Sequence, residues 1–222
     1  MTLELLGLLA GLLLLASSFP QLREALAEGS EGVSIGSWSI FLASAAVWTA
    51  YGLHVGAAAA IYANAGGVIA FGILVGALVR IRSGSSLLTL LVPVAVAALI
   101  GAAMLAPTAL VGVAGVVLGV CLAVPQLVLS WRTRREPSQV SVAAWALVVT
   151  GQVLWLAYGI LRPDAAIIVV NAISLLATGG VLVLALLGHR RELPSESAAA
   201  PPPAETAADV GALTPGGPHG RP

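Results

Sequence analysis

The sequence predicts an all-α integral membrane protein of seven transmembrane helices, built as two parallel three-helix repeats joined by a linker helix (3+1+3). Three observations carry this. The chain is 59% hydrophobic and 9% charged, against about 25% charge in a soluble domain, and its mean hydropathy is +1.00. Its apolar runs fall into seven blocks, each near the roughly 20 residues that a helix needs to cross a bilayer. A set of uncommon residues in the first half also returns in the second at a nearly fixed distance.

The blocks cover roughly residues 3–22, 35–53, 57–79, 87–105, 109–131, 140–160 and 164–187. Polar or charged breaks separate them: Arg23 to Gly32, Gly52 to Gly56, Arg80 to Ser86, Ala106 to Thr108, Arg132 to Gln139, and Leu161 to Pro163. The first block reads as a transmembrane helix rather than a removed leader. Glu4 is its only early charge, and no basic start precedes it. Residues 189–222 are rich in Pro, Ala, Gly, Ser and Glu and cannot bury a core, which predicts a disordered tail.

Pro20-Gln21 recurs as Pro125-Gln126, at an offset of 105. Val33-Ser34, Trp38, Trp48, Tyr51-Gly52 and Asn64 recur as Val140-Ser141, Trp145, Trp155, Tyr158-Gly159 and Asn171, at an offset of 107. The two-residue difference falls in a polar loop, where insertions cost little. The predicted division is therefore 1–83 for the first repeat, 84–107 for the linker helix, 108–188 for the second repeat and 189–222 for the tail. A three-helix unit ends on the opposite side from its start. One extra crossing restores the orientation, so the two repeats run parallel. The linker, Leu87 to Leu105, has only Thr89 as a polar side chain, which suits a lipid-facing helix.

Arginine sets the predicted orientation. The breaks after blocks 1, 3 and 5 and the segment after block 7 hold Arg23, Arg80, Arg82, Arg132, Arg134, Arg135, Arg190 and Arg191; the opposite breaks hold only Arg162. Loops rich in arginine stay in the cytoplasm. This predicts a cell-membrane protein with its amino terminus outside and its tail inside. A net charge of zero gives no reason to expect a nucleic-acid partner. Cys121 is the single cysteine, so neither an intrachain disulfide nor a cysteine metal cage can form. No metal, cofactor or enzymatic constellation is expected.

A Pro-Gln pair at the inner end of each repeat's first helix, a Trp on the second and an Asn on the third resemble the PQ-loop superfamily. Within it the chain is most similar to the SWEET and SemiSWEET sugar transporters. The resemblance covers residues 5–187. The seven-helix arrangement is like that of SWEETs, whereas the intact Pro-Gln pairs are more like SemiSWEETs, single triplets that dimerise. One departure is visible. SWEETs commonly carry prolines on the second helix of each triplet, and residues 35–53 and 140–160 contain none, so that family's four-proline inner gate does not carry over whole.

The predicted substrate site is Trp48, Asn64, Trp155 and Asn171. Trp48 lies about six residues before the outer end of its helix and Asn64 about six after the start of the next, so each sits roughly 9 Å below the outer surface. Trp155 and Asn171 repeat that depth. A flat indole suits the C–H face of a sugar ring, and an amide offers donors and an acceptor to neighbouring hydroxyls. The resemblance implies the same substrate contacts. The alternatives are an interfacial anchor for the Trp residues and interhelical hydrogen bonding for the Asn residues. The anchor role suits Trp38, Trp131 and Trp145, near the inner face. Ser44, Gln152 and Ser174 share the Trp or Asn faces by helical spacing, which predicts a more polar wall on the second repeat; the alternative is that Gln152 and Ser174 only bond neighbouring helices.

Pro20 and Pro125 each free the carbonyl four residues earlier, at Ala16 and Cys121, and bend the helix there. With Gln21 and Gln126 they are the predicted hinge and inner gate; a static kink is the alternative. The resemblance to SemiSWEETs implies an outer gate at Tyr51, Tyr158, Arg162 and Asp164. The first repeat has Val55 and Ala57 where Arg162 and Asp164 stand in the second, so a two-sided ionic latch is not expected, and Arg162 with Asp164 also fits an ordinary exposed pair. Glycines at four-residue spacing (Gly7 and Gly11, Gly72 and Gly76, Gly115 and Gly119) predict close helix packing.

The reading is a facilitative carrier of a small neutral solute, a mono- or disaccharide, moving by alternating access in the lipid bilayer. A proton-coupled PQ-loop amino-acid transporter is one alternative, and a non-transporting receptor or assembly factor is another. Proton coupling usually needs an acid inside the membrane, and no acidic residue falls mid-helix. Association into a homo-oligomer stays open, since one chain already holds both triplets.

Overall fold

Apolar runs in lipid leave the backbone no water to bond, so helices are the expected outcome. The computed structural model describes residues 2–27, 34–132 and 141–198, and of residues 18–27, Gln126 and 189–198 it describes the backbone alone. The described residues form seven helices: α1 Thr2–Ala27, α2 Ile35–Val55, α3 Ala58–Ser83, α4 Ser86–Leu105, α5 Thr108–Arg132, α6 Val142–Leu161 and α7 Ala165–Ala198. The protein is an all-α membrane protein. Helices α3, α4, α5, α6 and the Ala165–Gly188 part of α7 are long and apolar enough to cross a membrane. The apolar part of α1, Thr2–Ser17, is shorter. Helix α2 carries Ser37, Ser39, Ser44, Thr49 and His54. Ten of α2's 21 residues are buried against neighbours, and a helix inside a bundle need not match lipid all round.

The repeated dipeptides have local jobs. Ser34 caps α2 by accepting from Ser37 N at 3.2 Å, and Ser141 caps α6 by accepting from Ala144 N at 3.3 Å. The glycines of the Tyr-Gly pairs let the third helix begin against the second. A Cβ on Gly52 would lie 2.9 Å from Ile61 N, and one on Gly159 would lie 3.1 Å from Ile168 N. Gly56 (φ 65°) and Gly84 (φ 63°) end α2 and α3 in the left-handed conformation that glycine adopts without steric cost.

Helix α3 packs on both α1 and α2, and α7 packs on both α5 and α6. The two triplets meet through α1 against α6 and α2 against α5. Helix α4 leans on α2 and α3 and buries no residue. Its Leu87 and Leu90 are 67% and 65% exposed, an apolar surface that water would not tolerate and lipid would. One hydrophobic cluster joins both triplets near the start of α1, around Tyr51, Ala57, Ala59, Val111, Trp155 and Tyr158. A second, around Trp38, Leu42, Leu74 and Leu78, belongs to the first triplet alone.

Three expectations change. Helix α1 runs to Ala27, through the charged Arg23–Glu24 stretch, and α7 runs to Ala198, taking in the first ten residues of the expected tail. The α1 extension, Arg23–Ala27, consists of Arg, Glu, Ala and Leu, strong helix formers that need no lipid, and the α7 extension starts with Arg and Glu in its first turn. Residues 199–222 lie outside the described residues, as do 28–33 and 133–140. Trp38 is no interfacial anchor: it is buried with ring centroids 5.4 Å from Phe41 and 5.6 Å from Phe71. Trp131 is exposed and Trp145 half-buried.

Candidate functional site

The site is built on α2 and α6, where a Trp precedes a Tyr by three residues and so shares its face. Trp48 and Tyr51 form an edge-on pair with centroids 5.3 Å apart at 83°, and Trp155 and Tyr158 repeat it at 5.3 Å and 88°. Edge-to-face pairs add about 0.5–1.5 kcal/mol beyond burial, which holds each indole in one orientation. Each pair lies over glycines on the first helix of the opposite triplet. A Cβ on Gly115 would fall 2.8 Å from Trp48 Cε2, and one on Gly112 3.0 Å from Tyr51 Cε2. A Cβ on Gly7 would fall 3.1 Å from Tyr158 Cδ2, and one on Gly11 3.8 Å from Trp155 Cζ2. The structure thus brings all four aromatics to one end of the contact between triplets. Trp155 is buried, and Trp48 is half-buried against the same cluster.

The asparagines lie on the third helices. Asn64 Nδ2 donates to Ala60 O at 2.9 Å, and Asn171 Nδ2 donates to Ile167 O at 2.8 Å. Each amide is held by its own helix, not by a neighbouring one as interhelical bonding would require. One N–H and the Oδ1 of each remain to serve a ligand. Asn171 is buried and Asn64 half-buried. Ser44 and Ser174 are buried. Gln152 Oε1 is buried and has no hydrogen-bond partner. A buried carbonyl oxygen without a donor is costly and marks a place where a hydroxyl could donate.

At the end of the bundle where α1, α3, α5 and α7 begin, the hydroxyls and charges interlock. Tyr51 Oη donates to Asp164 Oδ1 at 2.9 Å. The same carboxylate accepts from Ile167 N at 3.1 Å, capping α7. Tyr158 Oη donates to Glu4 at 3.2 Å, and Arg162 Nη1 pairs with Glu4 Oε1 at 3.2 Å. Arg162 Nη2 donates to Val55 O at 2.6 Å. One expectation is corrected here. Arg162 and Asp164 are not an exposed pair with each other: Arg162 pairs with Glu4, and Asp164 is buried against Tyr51. The two contacts are not matching ionic ones: Arg162 and Glu4 form an ion pair, whereas on the other side Asp164 accepts a neutral tyrosine hydroxyl.

Glu4 is the residue that sequence reasoning missed. Its signal was present: a lone acid in the first turn of the first helix, and no carboxylate at position 57, the counterpart of Asp164. His54 was also passed over; its ring nitrogens meet Ala103 O at 3.0 Å and Thr108 Oγ1 at 3.4 Å, tying α2 to the α4–α5 turn. Pro125 lies inside α5. The side chains of Pro20, Gln21 and Gln126 lie outside the described residues. Of the spaced glycines, Gly11 and Gly119 sit where a Cβ would overlap Ala63 and Val170, within their own triplets, while Gly72 and Gly76 have ordinary room.

No family model matches the chain. Among curated proteins, it is 35% identical over 68 residues to the sugar transporter SemiSWEET of Escherichia coli (strain UMEA 3162-1), a match covering 31% of this chain and 75% of that protein. It is 39% identical over 62 residues to the sugar transporter SemiSWEET of Bradyrhizobium diazoefficiens, covering 28% of this chain and 71% of that protein. The first relative is thus shorter than half of this chain.

Proposed function

The chain belongs to the SemiSWEET sugar-transporter family, and on that premise we propose that it is a facilitative carrier of neutral mono- or disaccharides. Two fused triplets form one path, and the solute passes by alternating access across the cell membrane, with the amino terminus outside and the carboxyl terminus in the cytoplasm. The observation that carries the reading is the matched pair of Trp–Tyr units, each set on glycines of the opposite triplet. Trp48 and Trp155 offer apolar faces to a sugar ring. Asn64, Asn171 and Gln152 offer amide groups to its hydroxyls, with Ser44 and Ser174 extending the polar wall. No charge is needed to hold a neutral solute, and none of the described charges lies at this depth.

Transport is gated at both ends. Outside, the Tyr51–Asp164 and Tyr158–Glu4 bonds join the triplets, so this conformation has its outer gate shut. Inside, Pro20 and Pro125 supply the bends. The test is uptake of labelled mono- and disaccharides into liposomes holding the purified protein. Sugar should equilibrate down its gradient. An imposed pH difference should produce no accumulation, because no acid lies mid-helix to carry a proton. Uphill accumulation driven by pH would contradict the passive reading; absence of flux for every sugar would remove it.

Pro125→Ala should slow flux severalfold while leaving sugar affinity within about twofold of the parent, because a hinge acts on interconversion and not on contacts. Parental flux in this variant would make the proline a static kink.

A further inference from the structure

The two ends of the outer latch look alike but are built differently. In the second triplet the carboxylate is local. Asp164 stands at the head of α7, caps it through Ile167 N, and takes the hydroxyl of Tyr51 from the first triplet. The matching position in the first triplet is Ala57. Its N–H bonds Gly52 O at 2.9 Å as that of Asp164 bonds Gly159 O at 2.9 Å, and it caps α3 with no side-chain acceptor. A helix start without a cap leaves backbone N–H groups unmet. Glu4 fills both vacancies from another helix. Its Oε2 accepts from Ala59 N at 2.6 Å, in the first turn of α3, and both oxygens face Tyr158 Oη at 3.2 and 3.3 Å. It also takes Arg162 at 3.2 Å, with the pair half-buried at 22% and 29% exposure.

We infer that Glu4 is the first triplet's gate carboxylate, relocated from the head of α3 to the head of α1, and that its bonds to Tyr158 and Arg162 hold the outer gate shut. This rests on the alternating-access reading. The arrangement joins three helices at one carboxylate, whereas Asp164 joins two. Opening the gate requires α1 and α6 to part, so the Glu4 bonds break in every cycle and their strength sets how often the outer side opens. Glu4 bonds Ala59, Tyr158 and Arg162 and is not among the solute contacts proposed above, so it acts as a positioning residue.

The relocation supplies its own test. Val111 is 2% exposed in the hydrophobic cluster that holds Tyr51 and Tyr158. A Val111→Cys, Cys121→Ser protein in liposomes is treated from outside with a membrane-impermeant maleimide. Glu4→Ala should make labelling roughly tenfold faster, the factor expected for one lost charge-assisted bond. Adding Ala57→Asp, which returns the carboxylate to its counterpart position, should slow labelling again. Tyr158→Phe keeps Glu4 and its cap, and should speed labelling in the same direction if Glu4→Ala does not assemble. Hydrogen exchange at the Ala59 amide separates a cap from a latch: faster exchange with unchanged labelling overturns the inference. Sugar flux in the parent with labelling independent of Glu4 also overturns it, and leaves the transport reading intact. Labelling that depends on Glu4 in a protein that moves no sugar upholds the latch and sinks the transport reading.

Discussion

Asn64→Ala and Asn171→Ala are each expected to remove most sugar transport while leaving the helices assembled. Each amide is already oriented by a bond to its own helix, Asn64 to Ala60 O and Asn171 to Ile167 O. The rest of the group is therefore presented without further loss of side-chain freedom. Replacing it with a methyl leaves a sugar hydroxyl buried without a partner, which costs roughly 1–3 kcal/mol, or about tenfold or more in affinity. The folding cost is smaller, because the lost bond is a side-chain bond to a carbonyl that still accepts within the helix. Asn64→Ala should be the more damaging change. Asn64 is half-buried and has Gly67 one turn along its helix, whereas Asn171 has Ser174 there, and the second triplet also holds the unpaired Gln152 Oε1. Calorimetric titration of sugar in detergent decides the matter. Parental binding in both variants would make the asparagines packing residues and end the sugar-site reading.

What the sequence made legible was whatever repeats or whatever lipid demands. While the capping by Ser34 and Ser141 shows only in the structure, the seven apolar runs and the recurrence of Ser34, Trp48 and the Tyr-Gly pair at Ser141, Trp155 and the second Tyr-Gly pair follow from local periodicity or from the offset of 107. Glu4 did not, because its role exists only across 55 residues of chain, at Ala59, and across 154, at Tyr158. A repeat comparison looks for a carboxylate at position 57 and finds alanine; nothing local says that another helix brings one. Trp38 failed for a related reason. Near the start of α2 an indole suits a membrane surface, and only the tertiary arrangement shows Phe41 and Phe71 closing around it. The ends of α1 and α7 were drawn short because a hydropathy argument stops where the lipid does, while a helix stops where its backbone loses partners or its residues turn unfavourable.

Gly115→Ala should cost more than its single methyl suggests, and its contrast with Gly101→Ala gives the expected effect a sign. In a helix the exchange of glycine for alanine is itself favourable, by up to about 1 kcal/mol. At Gly101, on the uncovered α4, nothing lies within 4 Å of the new Cβ, so that gain should appear as equal or higher thermal stability with sugar binding unchanged. At Gly115 the new Cβ would stand 2.8 Å from Trp48 Cε2 and 2.9 Å from Cζ2. The indole cannot swing away without breaking its edge-on contact with Tyr51, whose hydroxyl is held by Asp164. Either α5 and α2 separate, or the ring leaves the position in which it meets a solute. Overpacking of this kind costs about 1–3 kcal/mol, enough to cancel the helical gain and lower the melting temperature. Sugar affinity should fall about tenfold or more, since an energy near 1.4 kcal/mol is already a factor of ten. Gly115→Val, with two further methyl groups at the same place, should lose binding altogether. Melting curves with and without sugar for the three variants settle it: if Gly115→Ala behaves like Gly101→Ala, Trp48 is not fixed on α5, and the indole cannot be the preset face of the site.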